Sequence, residues 1–82
     1  MGAFSLSPLQ RAALEAAARS PLKAFRRGYA ADRFGPFHRM TTIASLEARG
    51  LVERRRTGSI CRATPEGLAR LAAARDLAPA DA

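Results

Sequence analysis

The sequence predicts a small α+β domain, helices plus a two-stranded antiparallel hairpin. Three observations carry this. Ser7-Pro8, Ser20-Pro21 and Thr64-Pro65 are candidate helix starts. A hydroxyl at the N-cap accepts a free backbone N–H, and proline at N1 gives up one that has no partner. Apolar residues recur at helical spacing over 36–49 and stop at Gly50. Two short strand-like runs, 51–55 and 59–63, flank Thr57-Gly58, the expected tip of a hairpin.

The first helix is expected over 8–19. Gln10 stands at N3 and completes a capping box with Ser7. Leu9, Ala13, Ala16 and Ala17 form its apolar stripe, with Leu14 near the edge. Residues 20–36 support two readings. Leu22, Phe25 and Tyr29 fit a helix after Ser20-Pro21, whereas Gly28 and the aromatic content fit an extended or broken segment. Arg33-Phe34-Gly35-Pro36 is a turn on either reading. The next helix is placed at about 36–49, with Met40, Ile43 and Leu46 on one face and Phe37 and Ala44 at its border. Its opposite face carries His38, Thr41, Thr42, Ser45 and Arg49. Gly50 is a C′ glycine, and Leu51 at C″ can touch Leu46 at C3. The last helix is expected from Pro65 to about Arg75, with Leu68, Leu71 and Ala72 inward. One domain over 7–76 results, between an N-terminal tail at 1–6 and a disordered tail at 77–82.

Composition limits the core. Of the 48% apolar residue types, 19 residues are alanine. A chain of this size buries only about 60–65% of its unfolded surface. One small core follows, and a large enclosed substrate cavity does not fit.

The charge is +7, and thirteen of the fourteen basic residues are arginine. Its distribution is uneven. Residues 19–39 sum to +5 and residues 49–62 to +4, while the remaining segments are zero or −1. A helix with small polar side chains is thus bracketed by two basic segments. Arginine offers a planar fork suited to phosphate and guanine edges, and such clustering points to a polyanion. The bland alternative is a solvated basic surface.

Two stretches carry a resemblance. Thr42-Ile43-Ala44-Ser45-Leu46-Glu47-Ala48-Arg49-Gly50-Leu51-Val52-Glu53-Arg54 resembles the end of the recognition helix and the first wing strand of MarR-like winged-helix regulators. Ala63-Thr64-Pro65-Glu66-Gly67-Leu68-Ala69-Arg70-Leu71 looks like the segment after the wing in the same proteins. The resemblance covers roughly 35 residues and implies a small winged helix-turn-helix fold. It also implies double-stranded DNA as partner, with helix 37–49 in the major groove and wing 51–63 on flanking phosphates. The wing tip is shorter than usual in that family. The long terminal helices that dimerise full regulators and hold their ligand have no counterpart here, so no small-molecule ligand is expected. A homodimer or a protein partner is left open. By analogy with very small proteins of this style, the expected role is that of a transcriptional or prophage-type regulator of bacterial or phage origin.

The candidate DNA-binding residues follow. Thr41, Thr42 and Ser45 are placed on base edges or phosphates, and His38 on a phosphate near the helix N-terminus. Arg39 contacts DNA or pairs with Asp32 or Glu47, and Arg49 suits the helix C-terminus in any case. Arg54, Arg55 and Arg56 are the wing candidates, with alternation setting Arg55 opposite the other two and Arg62 a weaker partner. Arg26 and Arg27 are backbone clamps. Phe25 and Tyr29 suit core filling more than stacking on bases, and Cys61 reads as a half-buried strand residue.

Other classes lack their parts. One Cys and one His close neither a disulfide nor an ordinary zinc site. The chain has no paired-carboxylate constellation and no glycine-rich phosphate loop, so neither catalysis nor a cofactor or metal is expected. Its apolar runs are too short for a membrane span, and Met1 to Leu6 is no signal peptide. A nucleoid-associated cytoplasmic protein is the expectation. The alternative is a winged-helix protein-protein interaction adaptor, or an RNA-associated module.

Overall fold

The structure, a computed structural model, describes residues 6–77. Its elements are α1 (Pro8–Arg19), β1 (Leu22–Phe25), β2 (Gly28–Ala30), α2 (Met40–Ala48), β3 (Val52–Arg55), β4 (Ile60–Ala63) and α3 (Pro65–Leu77). The class is α+β. The sheet has four antiparallel strands in the order β2-β1-β4-β3, where the sequence suggested two. The expected tail beyond Leu77 lies outside the described residues. Leu6, assigned to the N-terminal tail, packs against the core.

Two of the three Ser/Thr-Pro pairs open helices. Gln10 N–H donates to Ser7 Oγ at 3.2 Å and Ser7 N–H to Gln10 Oε1 at 3.0 Å, so the capping box at α1 is complete. Thr64 Oγ1 accepts from Gly67 N–H at 3.0 Å and caps α3. Ser20-Pro21 instead ends α1, with Ser20 in extended backbone, and leads into β1.

The ambiguous segment is a β-hairpin, not a helix. Lys23, Ala24 and Phe25 pair with Ala30, Tyr29 and Gly28 around a loop of Arg26 and Arg27. Gly28 has φ +136°, and a Cβ there would stand 2.4 Å from the His38 carbonyl oxygen. Only glycine fits. Residues 36–39 are not helical either. His38 exchanges two backbone hydrogen bonds with Tyr29 at 2.7 and 2.8 Å, extending the sheet edge. The helix expected from 36 therefore starts at Met40, with Arg39 at its N-cap.

The stop of α2 is as expected. Leu51 N–H bonds the Leu46 carbonyl at 3.0 Å and Gly50 N–H the Glu47 carbonyl at 2.9 Å. With Gly50 at φ +76°, this is a Schellman motif. The β3–β4 turn lies one residue earlier than expected. Arg56 and Thr57, both at φ 55°, are its central residues, and Gly58 N–H closes it on the Arg55 carbonyl at 3.1 Å.

The helical stripes are right in period and partly wrong in phase. Ala13, Leu14 and Ala17 bury from α1, while Leu9 is 65% exposed. Ile43 and Leu46 bury from α2, but Met40, assigned to the core, is 52% exposed. On α3 the inward positions are Gly67 and Leu71, and Leu68 and Ala72 face water. The phase of α3 is set by proximity. A Cβ on Gly67 would lie 2.1 Å from the Leu51 carbonyl oxygen and 3.0 Å from Leu14.

Two layers result. Leu22, Tyr29, Val52 and Cys61 join the three helices in one core cluster. Pairing and alternation put these four on a single face of the sheet. Lys23, Phe25, Glu53, Arg55, Ile60 and Arg62 point to the other face, and none of them belongs to that cluster.

Gly67→Ala should force α3 off Leu51 and cost roughly 1–3 kcal/mol, as overpacking of a tight core does. Urea unfolding of both proteins checks this; an unchanged midpoint would mean that α3 does not sit this close.

Candidate nucleic-acid interface

The candidate residues separate into exposed, committed and displaced groups. Thr41 is exposed on α2, Thr42 is half-buried, and Arg39 and Arg49 are exposed at the two ends of the helix. Arg39 pairs with neither Asp32 nor Glu47. Asp32 Oδ1 accepts from Phe34 N–H at 2.8 Å, and Glu47 is taken by Arg54. Met40, Ala44 and Ala48 fall at intervals of four between them, all exposed.

Ser45 does not face outward. Its hydroxyl donates to the Thr42 carbonyl at 2.8 Å and accepts from Gln10 Nε2 at 2.9 Å. The glutamine of the capping box thus also ties α1 to α2. Arg54, a wing candidate, is committed as a strut to α2. Its Nη2 and Nε reach Glu47 Oε1 at 2.6 and 2.9 Å. The bond from Arg54 pulls the Glu47 carboxyl below its ordinary value and holds the guanidinium protonated.

His38 is displaced more thoroughly. It lies on the strand-like lead-in to α2, and its Nε2 is buried with no hydrogen-bond partner. It borders a hollow of about 130 Å³ with Arg19, Ser20 and Pro36. Burial lowers its pKa below 6.5. It is therefore no phosphate donor at a helix N-terminus.

The wing residues diverge. Arg55 lies on the open face of the sheet, 3.3 Å from Glu53 Oε2. Arg56 is exposed at the tip. The Tyr29 hydroxyl, from a fully buried side chain, donates to the Gly58 carbonyl and pins that tip to β2. Arg26 and Arg27 occupy the other hairpin loop, the Arg27 guanidinium 5.9 Å from the Phe37 ring centre.

Pairing of Lys23 with Ile60, and the bond from Ala24 N–H to the Ser59 carbonyl at 2.9 Å, bring both hairpin loops to one end of the sheet. Arg26 and Arg27 meet Arg56 there although it lies 29 to 30 residues further along the chain. Sequence reasoning missed Lys23, and it grouped Arg62 with the wing rather than with Lys23 on the open face. The signal was period-two alternation in 22–25, legible only once that segment is a strand. Cys61 is fully buried rather than half-buried, and burial pushes its thiol up to about 11. Among the described residues, no group of three His, Cys, Asp or Glu could hold a metal, and no helix is long and apolar enough to cross a membrane.

No family model matches the chain, and neither does a curated protein or a solved structure.

The pH dependence of stability follows from His38 and Glu47. Both have folded-state values below the ordinary ones of 6.5 and 4.5. The unfolded chain therefore takes up each proton first as pH falls, so stability is full above these values and lost on acidification. Melting temperature should begin to drop through 6.5 and drop again below 4.5. His38→Gln should remove the first drop alone; if that drop persists in the variant, His38 is not its source.

Proposed function

We propose that this chain binds double-stranded DNA as a minimal winged-helix-like regulator, with α2 in the major groove and the hairpin loops on flanking phosphates. The observation that carries it is the uncovered face of α2. Arg39, Thr41, Ala44, Ala48 and Arg49 are exposed along it, and their central side chains are short enough for the helix backbone to approach base edges. Arg55 and Arg56, with Arg26 and Arg27 at the same end of the sheet, supply phosphate contacts. The resemblance of 42–54 and 63–71 to MarR-like regulators supports the same reading. The β1–β2 hairpin stands where such proteins have the first helix of the helix-turn-helix, so the entry to the groove is the Arg39 turn alone. Transcriptional or prophage-type regulation at the nucleoid is the role this binding would serve.

A protein-adaptor reading has one observation in its favour. Met40 is 52% exposed and shares the α2 face with Ala44 and Ala48. Such a stripe suits an apolar partner as well as a thymine methyl.

Arg55→Glu with Arg56→Glu separates the two. Loss of duplex retention in that variant, with partner capture unchanged, supports the DNA reading, whereas partner capture lost in Met40→Glu with duplex retention unaffected by either variant supports the adaptor. With some five phosphates contacted, log K should fall against log salt with a slope of about −4 to −5. A flat salt dependence, or no duplex binding in low salt, overturns the DNA reading. Selection from a random duplex library then gives the site.

A further inference from the structure

We propose that the open face of the sheet is a second surface, which binds an unpaired DNA strand. This face is distinct from α2, which packs on the opposite side, and the two surfaces share only Arg55 and the loop arginines Arg26 and Arg27, so Lys23, Arg62 and the rings are what set it apart. Register fixes its contents. Ala30, Lys23, Ile60 and Arg55 form one row across all four strands, fully buried at Ala30 on β2, half-buried at Ile60 and exposed at Lys23 and Arg55. Arg62 lies beside Glu53 in the next row. On the other side Phe25 stands opposite Gly28, and Phe37 follows at the strand-like edge. Gly28 carries no side chain, so the two rings meet edge to face, 5.8 Å between centres.

The face is thus cationic at its middle and aromatic at one end. Lys23 and Arg62 are exposed and carry no ion pair among the described residues, while Arg55 and the one carboxylate among these face residues, Glu53, offset each other at 3.3 Å. Arg26 and Arg27 extend the positive charge past the rings, with Arg27 over Phe37. A backbone of phosphates beside a platform of rings is the arrangement that holds unpaired bases, because every base has a stacking face. A duplex cannot use the rings, since its bases already stack on one another. An acidic protein would use the charges and leave the rings idle. A 2′-hydroxyl could accept from these same cations but finds no uncommitted carboxylate among the face residues to donate to, so the commitment is to DNA.

The test is fluorescence anisotropy with labelled oligothymidylate, oligouridylate and a mixed-sequence duplex, in low salt. Lys23→Glu with Arg62→Glu, both exposed positions, should weaken oligothymidylate at least about ten-fold and leave the duplex within about three-fold. Phe37→Leu should cost about ten-fold on oligothymidylate, with the melting curve confirming that it folds. Absence of oligothymidylate binding by the unaltered protein overturns the proposal. So does an equal loss of duplex and single-strand binding in the double variant, which would mean one surface, or tighter binding of oligouridylate. Single-strand binding without duplex binding would sustain this inference and overturn the duplex reading alone.

Discussion

The carbonyl end of Leu51 is where three parts of the chain cross, and their relative placement depends on it. Leu51 leaves α2 through the Schellman turn and enters β3 one residue later. Its carbonyl accepts the Thr64 N–H at 3.0 Å, and the Gly50 carbonyl accepts the Thr64 hydroxyl at 2.6 Å. The same hydroxyl caps α3 through Gly67 N–H. Gly67 lets the first turn of α3 press against this carbonyl, a distance no Cβ allows. The end of one helix, the two strands of a hairpin and the start of the next helix are therefore fixed by one small set of backbone groups. Val52 then points into the core, and the alternate residue Arg54 reaches back to Glu47 on α2.

What the sequence made legible was local. The capping box at Ser7 and Gln10, the Gly50 stop and the Thr64 cap involve residues three to five apart, and each stands as expected. What it hid depended on distant partners. Leu22, Phe25 and Tyr29 satisfy a helical spacing as well as a strand, and the tie is broken by pairing with Cys61 and His38, which no local rule supplies. The late start of α2 has the same origin, since 37–38 is held extended by β2. Ser45 and Arg54 carry chemistry suited to DNA. Gln10, 35 residues away, takes one, and Glu47, seven away, takes the other.

The arginines therefore cannot be treated as one population. Arg54 spends its charge on the fold, where a removed partner would leave Glu47 unpaired. Arg11 and Arg55 form surface pairs with Glu15 and Glu53, each worth little to stability. Arg26, Arg39, Arg56 and Arg62 carry no ion pair among the described residues. Arg26 and Arg56, which do nothing for the fold and still meet at one end of the sheet, are charge available for a polyanion.

The open sheet face follows from the shortage of large apolar residues. A sheet covered on both faces needs a core on each side. With 19 alanines among its apolar residues, this chain fills one core, and the cluster holding Leu14, Leu22, Tyr29, Ile43 and Leu46 uses it. Much of the second face must then be wet, and β1, β3 and β4 set Lys23, Glu53, Arg55 and Arg62 on it beside Phe25 and Ile60. Wetness does not dictate the sign of the charge or call for aromatic rings. Lys23, Arg55 and Arg62 beside Phe25 and Phe37 exceed what exposure requires, and that excess distinguishes this face from one that merely meets solvent.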